Sequence, residues 1–302
     1  NKGRKTMIEV KNVSKSFGSV KALDDVSFKV EKGDVFGIIG QNGAGKSTLF
    51  RCIMNFFDDY DGSITYEGRP IKDIPLEKIG FLPEERSLSP KKTIDQEIRY
   101  FAKLNQLDKI PDEELNRWFD RFEIKGKLTD KIKSLSKGNQ QKVQLLAAVI
   151  YKPEFVILDE PLSGLDPYNI RLLEDIIKEL NAMGMTILFS SHNMENVEAL
   201  CNKLVMIKDG HIVLNGTPQD IRNSFPRQRL VIETDQDILP LIEGKVKSYT
   251  KTGDLWNLYL DNPEESREIY EIINSNIGFV PQFSQAAPTL NEIFAEVVES
   301  NE

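Results

Sequence analysis

Cysteine is scarce in this sequence: Cys52 and Cys201 are the two in 302 residues. Two thiols make no disulfide framework, and the expectation is a reduced pair in a cytoplasmic protein. Long hydrophobic runs are missing too. The longest uncharged apolar run, Val143 to Tyr151, is interrupted by Gln144. It falls far short of the ~18 residues that suggest a membrane span. No charged-then-apolar segment like a secretory signal opens the chain. The residues before Met7, Asn1-Lys2-Gly3-Arg4-Lys5-Thr6, read as a leader, with Met7 a candidate native start. Basic charge is in deficit. Lys and Arg number 39 against 47 Asp and Glu, a net charge of −8. That balance argues against a broad basic face, and so against nucleic acid as the main partner. No internal repeat is visible.

What is present is the balance of a soluble globular protein, with 40% hydrophobic and 28% charged residues. One domain per ~150 residues makes two domains the expectation. A chain this long buries a large core without staples. From Met7 to about Gly216, short apolar runs alternate with helical stretches. Val35 to Ile39, Phe155 to Leu158, Thr186 to Phe189 and Lys203 to Ile207 are continuous apolar strands of the kind found in parallel sheets. Helical stretches follow at Lys46 to Asn55, Gln140 to Tyr151 and Pro167 to Met183. The last of these has Pro167 at its first position and stops before Gly184. Alternating segments such as Ile8 to Val13 predict antiparallel strands near the N-terminus. Residues from about Pro90 to Leu135 read as helical and strongly charged. After Gly216 the texture changes: Thr217 to Arg229 reads as one short helix and a linker. Strands at Arg229 to Thr234, Lys245 to Thr250, Leu255 to Leu260 and Phe279 to Ser284 then alternate with helices at Ile238 to Glu243 and Pro263 to Asn274. This β-α-β-β-α-β order is that of a ferredoxin-like unit. Asn262 is the expected cap of the Pro263 helix. Thr289-Leu290-Asn291-Glu292 predicts a capping box for a last helix.

Gly40-Gln41-Asn42-Gly43-Ala44-Gly45-Lys46-Ser47-Thr48 follows an apolar strand and opens a helix, the setting and spacing of a phosphate loop. Glycines let consecutive N–H groups turn inward toward phosphate oxygens, and the helix N-terminus favours the anion. Lys46 supplies a cation to the β- and γ-phosphates, and Ser47 a hydroxyl to Mg²⁺. Phe155 to Leu158 ends in Asp159 and Glu160. Asp159 is placed to hold the water shell of Mg²⁺, and Glu160 to accept a proton from an attacking water. Leu135-Ser136-Lys137-Gly138-Asn139 precedes a helix. Ser136 and Gly138 make a further anion cradle, which taken alone is a helix cap.

Together these residues resemble the nucleotide-binding subunit of an ATP-binding-cassette transporter, from Met7 to about Asn223. The resemblance implies an α/β fold: a P-loop NTPase cassette over 7–223 with a mostly parallel sheet, antiparallel N-terminal strands and a helical subdomain at about 84–150. A small α+β ferredoxin-like accessory domain is expected over 228–302. In that family two subunits pair head to tail, and the signature loop of one closes on the ATP held by the other. Ser136, Gly138 and Asn139 are similar to that signature, and Asp166, in Ser163-Gly164-Leu165-Asp166, to the loop linking the two sites. His192 resembles the switch histidine at the γ-phosphate. Phe17 sits where the family stacks an aromatic ring on adenine, with Phe in place of the more usual Tyr. Glu84 stands where the family has a glutamine and is the expected metal ligand beside Ser47 and Asp159. In the signature, Lys137 replaces a glycine and Asn139 a glutamine. Leu82-Pro83-Glu84-Glu85-Arg86 with Ser136-Lys137-Gly138-Asn139-Gln140, and a tail ending Pro288-Thr289-Leu290-Asn291-Glu292-Ile293-Phe294, resemble a bacterial exporter subgroup that includes sodium-extrusion-type ATP-binding subunits.

The function implied is ATP hydrolysis with Mg²⁺, driving separate membrane-spanning permease subunits from the cytoplasmic face of the cell membrane. The subunit is expected as a homodimer or paired with a similar one, and export is favoured over import. Two other readings stand beside it. A soluble ATPase of the same superfamily acting on ribosomes or DNA would usually carry two cassettes or a coiled-coil insertion. A nucleotide sensor without turnover would lack the base or the lysine.

Overall fold

The computed structural model describes residues 5–85 and 87–300. Arg86 of the subgroup motif and Asn1 to Arg4 of the leader lie outside the described residues. The chain divides into two compact units between Thr217 and Pro218.

The first unit opens with two long strands, β1 (Thr6–Phe17) and β2 (Val20–Glu31). They pair antiparallel through the turn at Gly18. With β4 (Asp61–Tyr66) and β5 (Arg69–Pro70) they form a four-stranded antiparallel sheet in the order β2-β1-β4-β5. The second sheet contains β3 (Val35–Ile39), β6 (Ile79–Leu82), β7 (Phe155–Leu158), β8 (Thr186–Ser191), β9 (Lys203–Lys208) and β10 (His211–Gly216). Its order is β10-β9-β3-β8-β7-β6, parallel except for the β9–β10 hairpin. Every residue of β3, β7 and β8 is buried, in keeping with the apolar runs at the centre of each. Helix α1 (Lys46–Ile53) turns Leu49, Phe50, Cys52 and Ile53 into a core shared with Met7, Leu23, Phe28, Phe36 and Val205. Between β6 and β7 lie α2 (Ile94–Leu104), α3 (Asp112–Arg121) and α4 (Lys137–Val149). Beyond β7 come α5 (Pro167–Ala182) and α6 (Met194–Leu200).

In the second unit, β11 (Arg229–Glu233), β12 (Ser248–Thr252), β13 (Leu255–Tyr259) and β14 (Gln282–Ala286) form an antiparallel sheet in the order β12-β13-β11-β14. This is the ferredoxin-like arrangement, with β13 inserted between β11 and β12. Leu230, Ile232, Trp256 and Leu258 meet Ile242 of α8 (Leu239–Ile242) and Ile269 and Ile273 of α9 (Ser266–Asn276) in one core. Thr289 caps α10 (Leu290–Glu299) with the expected capping box.

Four expectations shift. The helix read with the cassette, α7 (Pro218–Ser224), divides with the second unit. Its Ile221 is buried and its Arg222 Nε donates to Pro288 O at 2.9 Å. The split between the compact units thus falls before α7, at 217–218, where the expected boundary lay at 223–228. Strand β14 starts at Gln282, not Phe279. Pro281 has no N–H for a ladder, and Phe279 is 91% exposed. Strand β12 likewise starts at Ser248, because the chain turns through Gly244 to Val246 after α8. Asn262 holds the N-cap position of a 3₁₀ turn, Pro263–Glu265, rather than of α9, which begins at Ser266, and its side chain makes no cap hydrogen bond.

Candidate functional site

The loop between β3 and α1 is held open by close backbone contact. Gly45 has φ 113°. A Cβ there would stand 2.5 Å from Ala22 O, and one on Gly40 2.4 Å from Ile207 O. No side chain caps the N-terminus of α1, so its first N–H groups face the loop's own concavity. Lys46 is buried, and its Nζ donates to Gly40 O at 2.7 Å and Gln41 O at 3.1 Å. An ammonium has three protons, so one remains for another acceptor.

Strand β7 delivers the acids. Asp159 and Glu160 are both buried, which is costly without partners. Ser190, at the end of neighbouring β8, serves both. Its Oγ donates to Asp159 Oδ1 at 2.6 Å and accepts from Glu160 N at 2.8 Å. Glu160 has φ 49°, rare for a residue with a side chain. That turn of the chain goes with a carboxylate 3.0 Å from His192 Nδ1 and 3.9 Å from Lys46 Nζ. His192 is half exposed while Glu160 is 7% exposed. A buried carboxylate thus sits between a buried ammonium and an imidazole open to solvent.

These groups surround a cavity of about 310 Å³ lined by Ala22, Asn42, Gly43, Gly45, Lys46, Ser47, Thr48, Glu84, Asp159 and Glu160. The cavity brings a loop of N–H groups and a cation against hydroxyl and carboxylate oxygens. Such a set can bind a polyphosphate and place a base beside it. Gly40 reaches the cavity through Lys46 and His192 through Glu160, while Ala44 is buried in the loop. Ala22 and Ser190 were not anticipated. Ser190 was visible only as a hydroxyl ending an apolar strand, and its link to Asp159 spans 31 residues of sequence.

Besides Gly40, Ala44 and His192, five expected site residues do not line this cavity. Phe17, 44% exposed, packs edge-on against Phe57 at 5.4 Å, with Lys15 Nζ 4.9 Å from its ring centre. Ser136 caps α4, its Oγ accepting from Asn139 N at 3.3 Å and Asn139 Nδ2 at 3.1 Å. Asn139 Oδ1 accepts from Lys125 N at 3.1 Å. Gly138 packs beside Leu165. Asp166 caps α5, accepting from Asn169 N at 3.0 Å. The Asn169 backbone N–H and side chain hold its carboxyl below the usual carboxylate range.

Comparison with known proteins decides the family. Residues 23–163 match the ABC transporter family. Residues 216–298 match the C-terminal domain of DrrA1-3-like ATP-binding proteins. The ABC transporter ATP-binding protein YhaQ of Bacillus subtilis is 40% identical over 97% of this chain and 98% of its own length. The chain belongs to the ABC transporter ATP-binding proteins. The linearmycin resistance ATP-binding protein LnrL of Bacillus subtilis is 34% identical over 82% of this chain and 81% of its own. A solved ATP-binding subunit of an ABC transporter superposes with TM-score 0.66 at 31% identity, covering 73% of this chain and 93% of that one. This ABC subunit is an ATPase of the P-loop cassette type, and the family's hydrolysis powers transport. Among the described residues no helix is long and apolar enough to cross a membrane.

Proposed function

We propose that the chain hydrolyses MgATP as one half of a head-to-tail dimer and drives a separate membrane permease outward, from the cytoplasmic face. The observation carrying this is the convergence of Lys46, Ser47, Asp159 and Glu160 on one cavity. The serine, glycine and aspartate that would complete the site lie outside it. In this reading the loop N–H groups from Gly40 to Thr48 and the free proton of Lys46 hold the β- and γ-phosphates. Glu160 accepts the proton of an attacking water, and His192 Nδ1 holds the Glu160 carboxylate in place. Phe17 offers its exposed ring to adenine. Ser136, Gly138, Asn139 and Asp166 face the nucleotide of a second copy, which gives the exposed cap of α4 a use.

The donor set fits Mg²⁺. Ser47, Asp159 and Glu84 all line the cavity and carry hard oxygens. Among the described residues no group of three or more His, Cys, Asp or Glu could hold a metal ion by itself. Mg²⁺ commonly takes one or two carboxylates and completes its shell with phosphates and water. When bound, the ion would neutralise charge on the phosphate oxygens. Export is supported by the resistance function in the name of LnrL and by a Nod factor export ATP-binding protein among the relatives.

The test is Glu160→Gln. The amide keeps shape and removes the base, so turnover falls about 10²–10⁴-fold while ATP still binds. ATP then converts monomer to dimer by light scattering. Hydrolysis at the parent rate would exclude Glu160 as the base, and a monomer with ATP bound would exclude the pairing.

A further inference from the structure

Helix α4, which opens at Ser136, carries two amides that the chemistry above leaves without a role. Gln141 and Gln144 are three apart, so they share a face, and both are buried, 6% and 4% exposed. Gln141 Nε2 donates to Pro161 O at 3.1 Å, one residue past Glu160. Gln144 Nε2 donates to Pro83 O and Glu85 O, each at 3.3 Å. Those two carbonyls bracket Glu84, which lines the cavity. The same segment is gripped further along. Glu97, 1% exposed, accepts from Ser89 N at 2.7 Å and lies 3.2 Å from Lys92 Nζ. Glu84 stands beyond the end of β6, where no ladder fixes the backbone.

Packing does not require an amide at 144. Its neighbours Val143, Leu145 and Leu146 are fully buried, and an apolar side chain of the same length would fill the space with no desolvation cost. Gln144 Oε1 is moreover buried with no hydrogen-bond partner among the described residues. Reversing the amide would set its oxygen against two carbonyls, so the donor face is fixed.

We propose that Gln144 is a positioning residue for Glu84: its amide ties the Glu84 loop to the helix that begins at the signature, so displacement of either moves the other. Gln141 holds the loop after Glu160 from the same helix face. Both acid-bearing loops are thus referenced to one helix, whose N-terminus meets the partner's nucleotide in the pairing proposed above. The inference rests on that reading of Glu84 and Ser136.

The test uses the full chain, ATP turnover as a function of Mg²⁺, and a double-mutant cycle. Gln144→Met keeps length and loses both donors. It lowers kcat about tenfold and raises the Mg²⁺ needed for half-maximal rate. KM for ATP and the melting temperature stay near the parent's. Should Gln144→Met fail to fold, Gln144→Glu keeps the shape, and its defect deepens as pH rises and the carboxylate ionises against two carbonyls. In a Glu84→Ala background, adding Gln144→Met changes turnover by less than about twofold. A full tenfold loss in that background, or parent-like kcat and Mg²⁺ dependence in both Gln144 variants, overturns the proposal. If Glu84→Ala itself behaves as the parent, the role of Glu84 falls and the proposal with it. If Glu84→Ala is impaired and the Gln144 variants are not, the proposal alone falls.

Discussion

The first unit buries Lys46, Glu97, Gln144, Asp159, Glu160 and Ser190, whereas among the described residues of the second unit the buried polar side chain is Thr234. The tail's centre is apolar instead, built from Leu230, Ile232, Trp256, Leu258, Ile269 and Ile273. Burying polar groups costs free energy unless each finds a partner. The first unit meets that cost with cross-strand bonds such as Ser190 to Asp159, and it tolerates a left-handed Glu160. Strain and buried charge of this kind collect at functional sites. Among its described residues the tail shows neither a buried charge cluster nor a left-handed residue other than glycine. The difference teaches that, among the described residues, the buried ionisable groups collect in the first unit.

Lys46→Ala should give the largest effect. It removes the cation aimed into the cavity and leaves Glu160 buried beside His192 alone. Turnover falls by about 10³-fold or more, read by phosphate release. Hydrogen exchange in residues 229–300 stays at the parent level, because the tail core contains none of these groups. Turnover near the parent's would sink the phosphate-loop assignment, and altered tail protection would break the contrast between the units.

Ser190→Ala should come next. One hydroxyl serves two buried acids, so its loss leaves Glu160 N and Asp159 Oδ1 each one bond short. The first unit loses about 1–3 kcal/mol, and turnover drops about tenfold, since the Glu160 turn loosens. A variant with lower stability but parent turnover would make Ser190 a purely structural partner.

How much of this was legible in the sequence follows from the range of the interactions. The phosphate loop is local: glycine spacing, the preceding apolar strand and the helix start all lie within fifteen residues, Val35 to Leu49. The antiparallel tail was legible for the same reason, since its element order alone selects few topologies. The capping box at Thr289 and Glu292 is written within four residues. What escaped is non-local. Ser190 meets Asp159 across 31 residues, and Gln144 meets Pro83 across 61; neither contact leaves a periodicity or a spacing. The tail boundary escaped because α7 looks like any short helix until Arg222 finds Pro288. The start of β14 escaped because apolar Phe279 and Val280 resemble a strand, while Pro281 forbids the ladder.

The smallest effect is expected from Glu292→Gln, and it probes the tail by itself. Glu292 completes the capping box of α10, accepting from Thr289 N at 2.6 Å, and its other oxygen accepts from Tyr259 Oη at 2.9 Å. Burial pushes its carboxyl up, but the Thr289 backbone N–H, the Tyr259 and Thr289 hydroxyls and Arg229 outweigh burial, and the net shift is below the ordinary 4.5. A carboxylate with a lowered folded-state value contributes stability that is fully present above pH 4.5 and is lost as pH falls through that lower value. Glutamine keeps an acceptor for the cap but carries no charge, so the variant tail should be less stable at pH 7 by about 0.5–1 kcal/mol. The two curves should converge in acid. Hydrogen exchange of residues 229–300 in the full chain measures this between pH 3 and pH 7. Parallel curves over that range would show that the charge of Glu292 contributes nothing. Turnover at pH 7 should hold within about twofold, since additivity is expected between sites with no shared partners. A larger fall would mean that the tail takes part in the chemistry.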